Sequence, residues 1–368
     1  MVLASTNKEQ ANAWTACRLS PWGSNAMAAL LPDGSGDPRT VVDHYAYTDI
    51  TIREGQKADF TIATLPTLPY NAALRVTSDA TISVSGSNMV AQPPTDGGAY
   101  NLEFTGNSAT PCWVPINFTK AASLTNYNDN PIGVSSRNYI AADKARITSM
   151  GWRLIYTGPA NACTGIVTVS SSPVRSDDPV DKSGGRITTY NASGGALTNI
   201  NTGTNGVKVL PIRLKQVLGT TGKDSISARP EVTLKGLVRH SAPIYNWCDL
   251  QEQYSLLVNA DSGVNLVTGD VVATMASAQG ASGVLADQST VLYGTINMID
   301  DSWDSTLLQV SGVVGSYRFE TWQCVEYIPL TESAFYDTAK KVSVANTQII
   351  DQANKQAAQK PIAEKGTA

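Results

Sequence analysis

From Tyr45 to about residue 330, short runs rich in Val, Ile, Thr, Tyr, Phe and Trp alternate with clusters of Gly, Pro, Asn, Asp and Ser. That rhythm restricts the fold more than any other feature, because short strands at this spacing close into a sandwich or barrel. Tyr45–Arg53 turns at Glu54-Gly55-Gln56 into Phe60–Leu65, and Leu74–Val84, Cys112–Phe118, Val207–Leu214, Val232–His240 and Tyr254–Val258 are further strand candidates. Arg146–Tyr156 places Met150, Trp152, Leu154 and Tyr156 on one face, and Gly165–Ser170 follows a Thr157-Gly158-Pro159 turn. Period-two alternation bounded by turn residues predicts a half-buried antiparallel hairpin there. The final two candidates are Thr306–Ser311 and Tyr317–Ile328, the latter with Tyr317, Phe319, Val325 and Tyr327 on one face.

The flanks differ in character. Residues 1–45, rich in Gly, Pro, Ser and Asp, read as an irregular segment, and residues 46–330 as one β-domain with loop insertions. Residues 331–368 read as a tail in which Val342, Ala345, Ile349, Ala353 and Ala357 fall at roughly helical spacing before Pro361 and Gly366. Such a stripe predicts a marginal helix that needs a partner. No repeat of 20–50 residues is present, which argues against solenoids and propellers.

Composition narrows the function. Of the 368 residues 42% are apolar, enough for a full core, while only 16% are charged, against roughly 25% in an ordinary soluble domain. That combination suits a protein whose flanks are covered by neighbours. The net charge of −4 and pI near 5.3 give no whole-chain case for nucleic-acid binding. The first 38 residues contain only Lys8 and Arg18, so no basic arm for phosphates is visible. Five scattered cysteines without CxxC spacing predict buried free thiols, neither a disulfide framework nor a zinc site. Met1–Gln10 lacks the apolar core of a signal peptide, and no run approaches the ~20 apolar residues of a membrane span.

Catalytic equipment is not found. There are two histidines, His44 and His240, and neither HExxH nor GxSxG occurs. Gly219-Thr220-Thr221-Gly222-Lys223 lacks the first glycine of a phosphate loop. Acidic groups at Asp177-Asp178-Asp181, Asp300-Asp301-Asp304 and Asp249/Glu252 read first as solvated turn carboxylates. Calcium is the ion that loop oxygens shared across an interface would suit. The sequons at Asn117 and Asn191 are expected to be unused without a secretion signal.

Two segments resemble the coat proteins of nodaviruses and their relatives. Arg146 to Val174 is similar to adjacent strands in the middle of that jelly roll. Ser302 to Asp337 is similar to its last two strands, whose aromatic-x-Cys-x-Glu-Tyr-x-Pro pattern stands here as Trp322, Cys324, Glu326, Tyr327 and Pro329. Weaker similarity covers Ala16 to Asp37 and Leu234 to Glu252, so about half of the chain is touched in the same order and spacing. Coats of some algal single-stranded DNA viruses look nodavirus-like too, which leaves the genome type open.

The resemblance implies an all-β fold, an eight-stranded antiparallel jelly-roll sandwich with a C-terminal tail that is part-helical. It implies a structural, non-enzymatic subunit of a virion that assembles with many copies of itself into an icosahedral shell. That shell encloses an RNA or single-stranded DNA genome and meets an unspecified host receptor. Calcium between subunits would fall to Asp249 and Glu252. With no basic arm, the inward candidates for nucleic-acid contact are Lys340, Lys341, Lys355, Lys360 and Lys365. Insect nodavirus coats cut themselves near the C-terminus, an Asn attacking its own peptide bond with help from a buried Asp. Asn346-Thr347 is the nearest bond here, but Ser20–Ser24 holds no acid and Asp33 or Asp37 would need rearrangement, so no cleavage is expected. The competing reading is a carbohydrate-binding or adhesive β-sandwich using Trp113, Tyr190 and Tyr245 as exposed aromatics.

Overall fold

The computed structural model describes residues 2–86, 139–176, 232–250 and 298–366 apart from single or paired positions. Between these it describes residues 100–105, 113–118, 121–123, 180–181, 186–190, 196–201, 208–214, 225–229, 254–259, 284–285 and 295–296. Eight strands carry the architecture: β1 (Thr40–Ile52), β2 (Ala58–Thr64), β3 (Tyr139–Tyr156), β4 (Ile166–Ser176), β5 (Ser225–Ala228), β6 (Leu234–Leu237), β7 (Asp304–Val313) and β8 (Ser316–Pro329). One sheet runs β1-β8-β3-β6 and the other β2-β7-β4-β5, every neighbour antiparallel. Each of the pairs β1–β2, β3–β4, β5–β6 and β7–β8 is divided between the two sheets. This is the jelly-roll order, and the fold is an all-β sandwich.

Insertions widen both sheets. Thr81–Gly86 and Tyr100–Thr105 add strands beyond β1, while Tyr70–Val76 and Trp113–Phe118 add strands beyond β2. The single candidate Leu74–Val84 is therefore two strands in opposite sheets. Lys208–Leu214 pairs with the end of β4, and Cys248–Asp249 with β3.

The expected hairpin of Arg146–Tyr156 with Gly165–Ser170 is not a hairpin. β3 pairs with β8 and β6, whereas β4 pairs with β7 and β5. The link between them carries a 3₁₀ turn at Ala160–Ala162 and crosses from one sheet to the other, a gap of about 10 Å. An apolar row faces inward whether the hydrogen-bonded partner is the next strand or a distant one, so alternation alone cannot distinguish the two. Gly165 closes this corner at φ +91°, and any side chain there would strike the backbone at Ser311 and Gly312.

The two inner faces make one core. Ile50, Trp152, Leu154 and Phe319 meet Phe60, Ile62, Val169 and Leu308, all buried. Phe60 and Tyr317 pack edge to face at 5.9 Å. Each such side chain contributes roughly 1.5–3 kcal/mol. A short polar ladder runs through this core: Thr48 donates to Asn117 (2.6 Å), Asn117 to Thr321 (2.9 Å) and Thr321 to Asn71 (2.8 Å). Asn117 is fully buried with φ 57°, so its sequon is closed to a glycan in the folded chain.

The N-terminal segment is not irregular throughout. Val2–Leu19 forms α1, an 18-residue helix whose buried side chains, among those described, are Ala11, Trp14, Cys17 and Arg18. With Trp14 the one large apolar side chain among these buried residues, the described part carries little amphipathic signal. The tail helix, α2, spans Thr347–Gln359 and buries Ile350, Ala353 and Ala357. Val342 is buried ahead of the helix, and Ala345 is exposed. α1 is the partner that α2 was expected to need: the two helices pack together.

Candidate functional site

The outer face of the β1-β8-β3-β6 sheet is half covered by both ends of the chain, and this layer is the most elaborated part of the described structure. Ser149 on β3 donates to the Cys17 carbonyl (2.7 Å), and the Cys17 and Cys324 thiols meet beneath α1. That contact and burial raise the Cys324 thiol well above its ordinary value. Gly151 leaves room for Pro21 and Trp22 to lie against the sheet. Lys360 caps the carbonyl of Leu19 at the end of α1 (2.8 Å), and the Asn346 side chain caps α2 at Ile349 (3.4 Å). The two chain ends also pair directly, Asp33 with Ala345 and Arg39 with Lys340.

A buried ionic cluster fixes this layer. Glu326 on β8 is fully buried and accepts from Arg146 Nε on β3 (2.7 Å), from Arg39 (3.1 Å) and from the Leu31 amide. Asp33 holds both arginines from the other side, at 2.5 Å to Arg39 and 2.7 Å to Arg146. Arg146 Nη2 contacts Asp33 and Glu326 as an ion pair without hydrogen-bond alignment. Its guanidinium lies over the Trp247 ring at 4.2 Å. Burial pushes the Glu326 carboxyl up, against the pull of Arg146, Arg39 and the Leu31 amide. Burial works to raise Asp33 as well, but the Arg39 hydrogen bonds, the Arg146 charge and the Ser35 amide bring it down to about 2. One carboxylate thus joins residues 31–39 to two central strands.

A second cluster ties both helices to the segment after β6. His240 stacks on Tyr245 at 4.2 Å and leans on Trp303 at 4.8 Å. Tyr245 donates to Asn354 of α2 (2.6 Å) and meets Trp14 of α1 edge-on at 6.0 Å, while Arg18 lies over Trp303 at 5.0 Å. Burial and the Arg18 charge lower His240 to about 3, so the ring is neutral. Ser302 Oγ donates to Asp300, which burial pushes up, and contacts His240 Nε2 at 3.2 Å. His44 pairs with Tyr327 at 2.6 Å inside the sandwich. Both histidines therefore sit in packed, hydrogen-bonded positions.

The expected site residues fare unevenly. Lys340, Lys341, Lys355 and Lys365 are exposed, but Lys360 is spent on the α1 cap. Exposed charges on the two helices include Lys8 and Lys355 together with Glu9 and Asp351, so the lysines form no continuous basic track there. Asp249 is exposed and pairs with Lys144 at 3.2 Å, and Glu252 lies outside the described residues. Among the described residues no group of three potential metal ligands occurs. Of the two expected calcium ligands the described residues therefore hold one, Asp249, which by itself offers fewer oxygens than calcium takes. Asp300, Asp301 and Asp304 disperse into a buried acceptor, an exposed residue and a partner of Ser171 (3.0 Å). The segments at 177–178 and 219–223 lie outside the described residues.

Asp33 reaches the neighbourhood of Asn346 without rearrangement, since it pairs with Ala345 and the Pro32 carbonyl accepts from the Asn346 amide (2.8 Å). Its carboxylate, however, is committed to two arginines. Tyr245, counted as an exposed aromatic, is buried, and the side chains of Trp113 and Tyr190 lie outside the description. Sequence reasoning missed Arg39, Arg146 and the role of Glu326. The available signal was Glu326 itself, a charge set among Cys324, Val325 and Tyr327, where both faces of the strand read apolar.

No family model and no curated protein matches the sequence. Among solved structures, a structure of infectious bursal disease virus strain Gx is similar over 96% of this chain and 94% of its own, at 11% identity and TM-score 0.41. The T13 infectious bursal disease virus particle is similar over 97% and 93%, at 10% identity and TM-score 0.42. T=1 particles derived from that virus match over 96% and 93%, at 10% identity and TM-score 0.36.

Proposed function

We propose that this chain is the coat subunit of a non-enveloped icosahedral virus, nodavirus-like in plan, which assembles with copies of itself around an RNA or single-stranded DNA genome. The observation that carries the reading is where the coat-like segments fall. Arg146–Val174 covers the larger, C-terminal part of β3, its corner and most of β4, and Ser302–Asp337 covers β7 and β8, the strands at the middle of both sheets. Fold alone does not assign function, but two similar segments in the structural order of a jelly roll support a shell subunit. The chain ends, folded as a layer over one sheet, give such a subunit two chemically different faces, as a closed shell with an inside and an outside requires.

Calcium belongs to this reading only as a joint site, Asp249 with oxygens of a neighbouring subunit. A chelator that lowers particle stability supports it, and unchanged stability removes it. The burial of Tyr245 takes one of three aromatics from the adhesive alternative. Electron microscopy of the expressed protein tests the main reading: uniform closed particles are expected, and a stable monomer overturns it.

A further inference from the structure

The half of the β1-β8-β3-β6 outer face left open by the terminal layer carries an ordered set of rings and cations. Tyr45 on β1 is 47% exposed, with the Trp322 ring on β8 at 5.3 Å and Tyr47 at 6.2 Å. Each neighbouring cation lies against a ring: Arg153 over Trp322 at 5.3 Å and Arg318 over Tyr47 at 4.7 Å. Lys235, directly across from Arg153 on β6, lies over Trp22 at 5.3 Å.

The counter-charges sit lower. Glu320, which accepts from Arg153 (2.6 Å) and from Tyr45 (3.0 Å), has a side chain only 5% exposed, against 34% for Arg153. Asp49 chelates Arg318 at 2.7 and 2.9 Å, and the arginine is the more exposed of the two. What solvent meets is therefore the Tyr45 ring with the Trp322 and Tyr47 rings beside it, rimmed by guanidinium and ammonium groups, the two arginines held by a buried carboxylate at Glu320 and a part-exposed one at Asp49.

We infer that this face is a stacking platform for unpaired bases of a single-stranded nucleic acid. Exposed rings interleaved with cations accept any base by its π-face. A duplex hides those faces, so paired strands gain nothing here. The inference rests on the coat reading when the ligand is taken as the packaged genome, and it answers a need that reading leaves open. The tail lysines are scattered, and Lys360 is engaged. Stacking with at most three cations predicts weak salt dependence: a slope of about −0.7 per phosphate gives a loss of roughly twentyfold or less between 50 and 200 mM salt.

The test uses the full chain with Y45A/W322A and Y45F/W322F, the latter keeping both rings. Binding of a fluorescein-labelled 20-nucleotide oligouridylate is measured by fluorescence anisotropy, beside a labelled duplex of equal length. Particles are counted by microscopy and their nucleic acid by extraction. The platform predicts a loss of binding of at least tenfold and emptier particles for Y45A/W322A, wild-type behaviour for Y45F/W322F, and no comparable binding of duplex. Wild-type binding and packaging by Y45A/W322A overturns it. A folded Y45A/W322A chain that binds oligouridylate normally but no longer assembles gives the face to a second copy of the chain, and also overturns it. If the wild type forms no particles, the coat reading fails, while the oligouridylate arm still decides the platform.

Discussion

Replacing Glu326 with Gln probes the connection between the terminal layer and the shell domain. Glu326 and Arg39 are fully shielded, and Arg146 is 3% exposed. Losing the carboxylate leaves two buried guanidiniums sharing Asp33 and weakens the partner of the Leu31 amide. Breaking a buried pair in this way costs about 3–5 kcal/mol, most of it from stranded charge rather than from the lost attraction. E326Q should therefore unfold in urea with a stability about 3 kcal/mol or more below wild type. Limited proteolysis should cut between residues 20 and 39 earlier than elsewhere. The triple change R39M/R146M/E326L removes the charges together and should recover most of that loss, since Asp33 is 22% exposed and free to hydrate. An E326Q chain within about 1 kcal/mol of wild type, or a triple variant as weak as E326Q, refutes the cluster as the fastening of this layer.

Acid should loosen the same layer through His240. Its folded value near 3 lies below the ordinary 6.5, so the folded chain binds fewer protons than the unfolded one, and stability present above pH 6.5 is lost as pH falls toward 3. Between pH 6.5 and 5 this amounts to at most about 2 kcal/mol. A His240→Gln chain should show a flatter urea-stability profile in that window, and an unchanged slope contradicts the assignment. Asp33, held near 2, keeps its charge throughout that range and lets go only below it. The intact mass of purified particles should correspond to the whole chain, because Asp33, which pairs beside Asn346, is locked between two arginines. A released C-terminal peptide contradicts this.

The strand-and-turn rhythm made the sandwich legible, and the coat-like segments supplied its jelly-roll order, because period-two patterning records burial on one face. It does not record which strand lies alongside, and so β3 and β4 read as a hairpin although they turn a corner between sheets. α2 was legible from its stripe, whereas α1 buries chiefly Ala11, Trp14 and Cys17 and shows no comparable stripe. The ionic cluster was hidden for a different reason. Asp33, Arg39, Arg146 and Glu326 are spread over nearly the whole chain, and apart from Glu326, set in an apolar strand, each by itself looks like an ordinary surface charge. Lys360 shows the reverse error: a tail lysine that composition offers to nucleic acid is consumed by a helix end.

The most direct test of the coat reading is the mass of the purified native assembly, by charge-detection mass spectrometry. At 39.0 kDa per chain, sixty copies weigh about 2.3 MDa, and closed icosahedral shells fall at that mass or its multiples before any packaged nucleic acid. A population at such masses is predicted. A homogeneous species at 39 kDa, or a small open oligomer that does not grow with concentration, contradicts the reading.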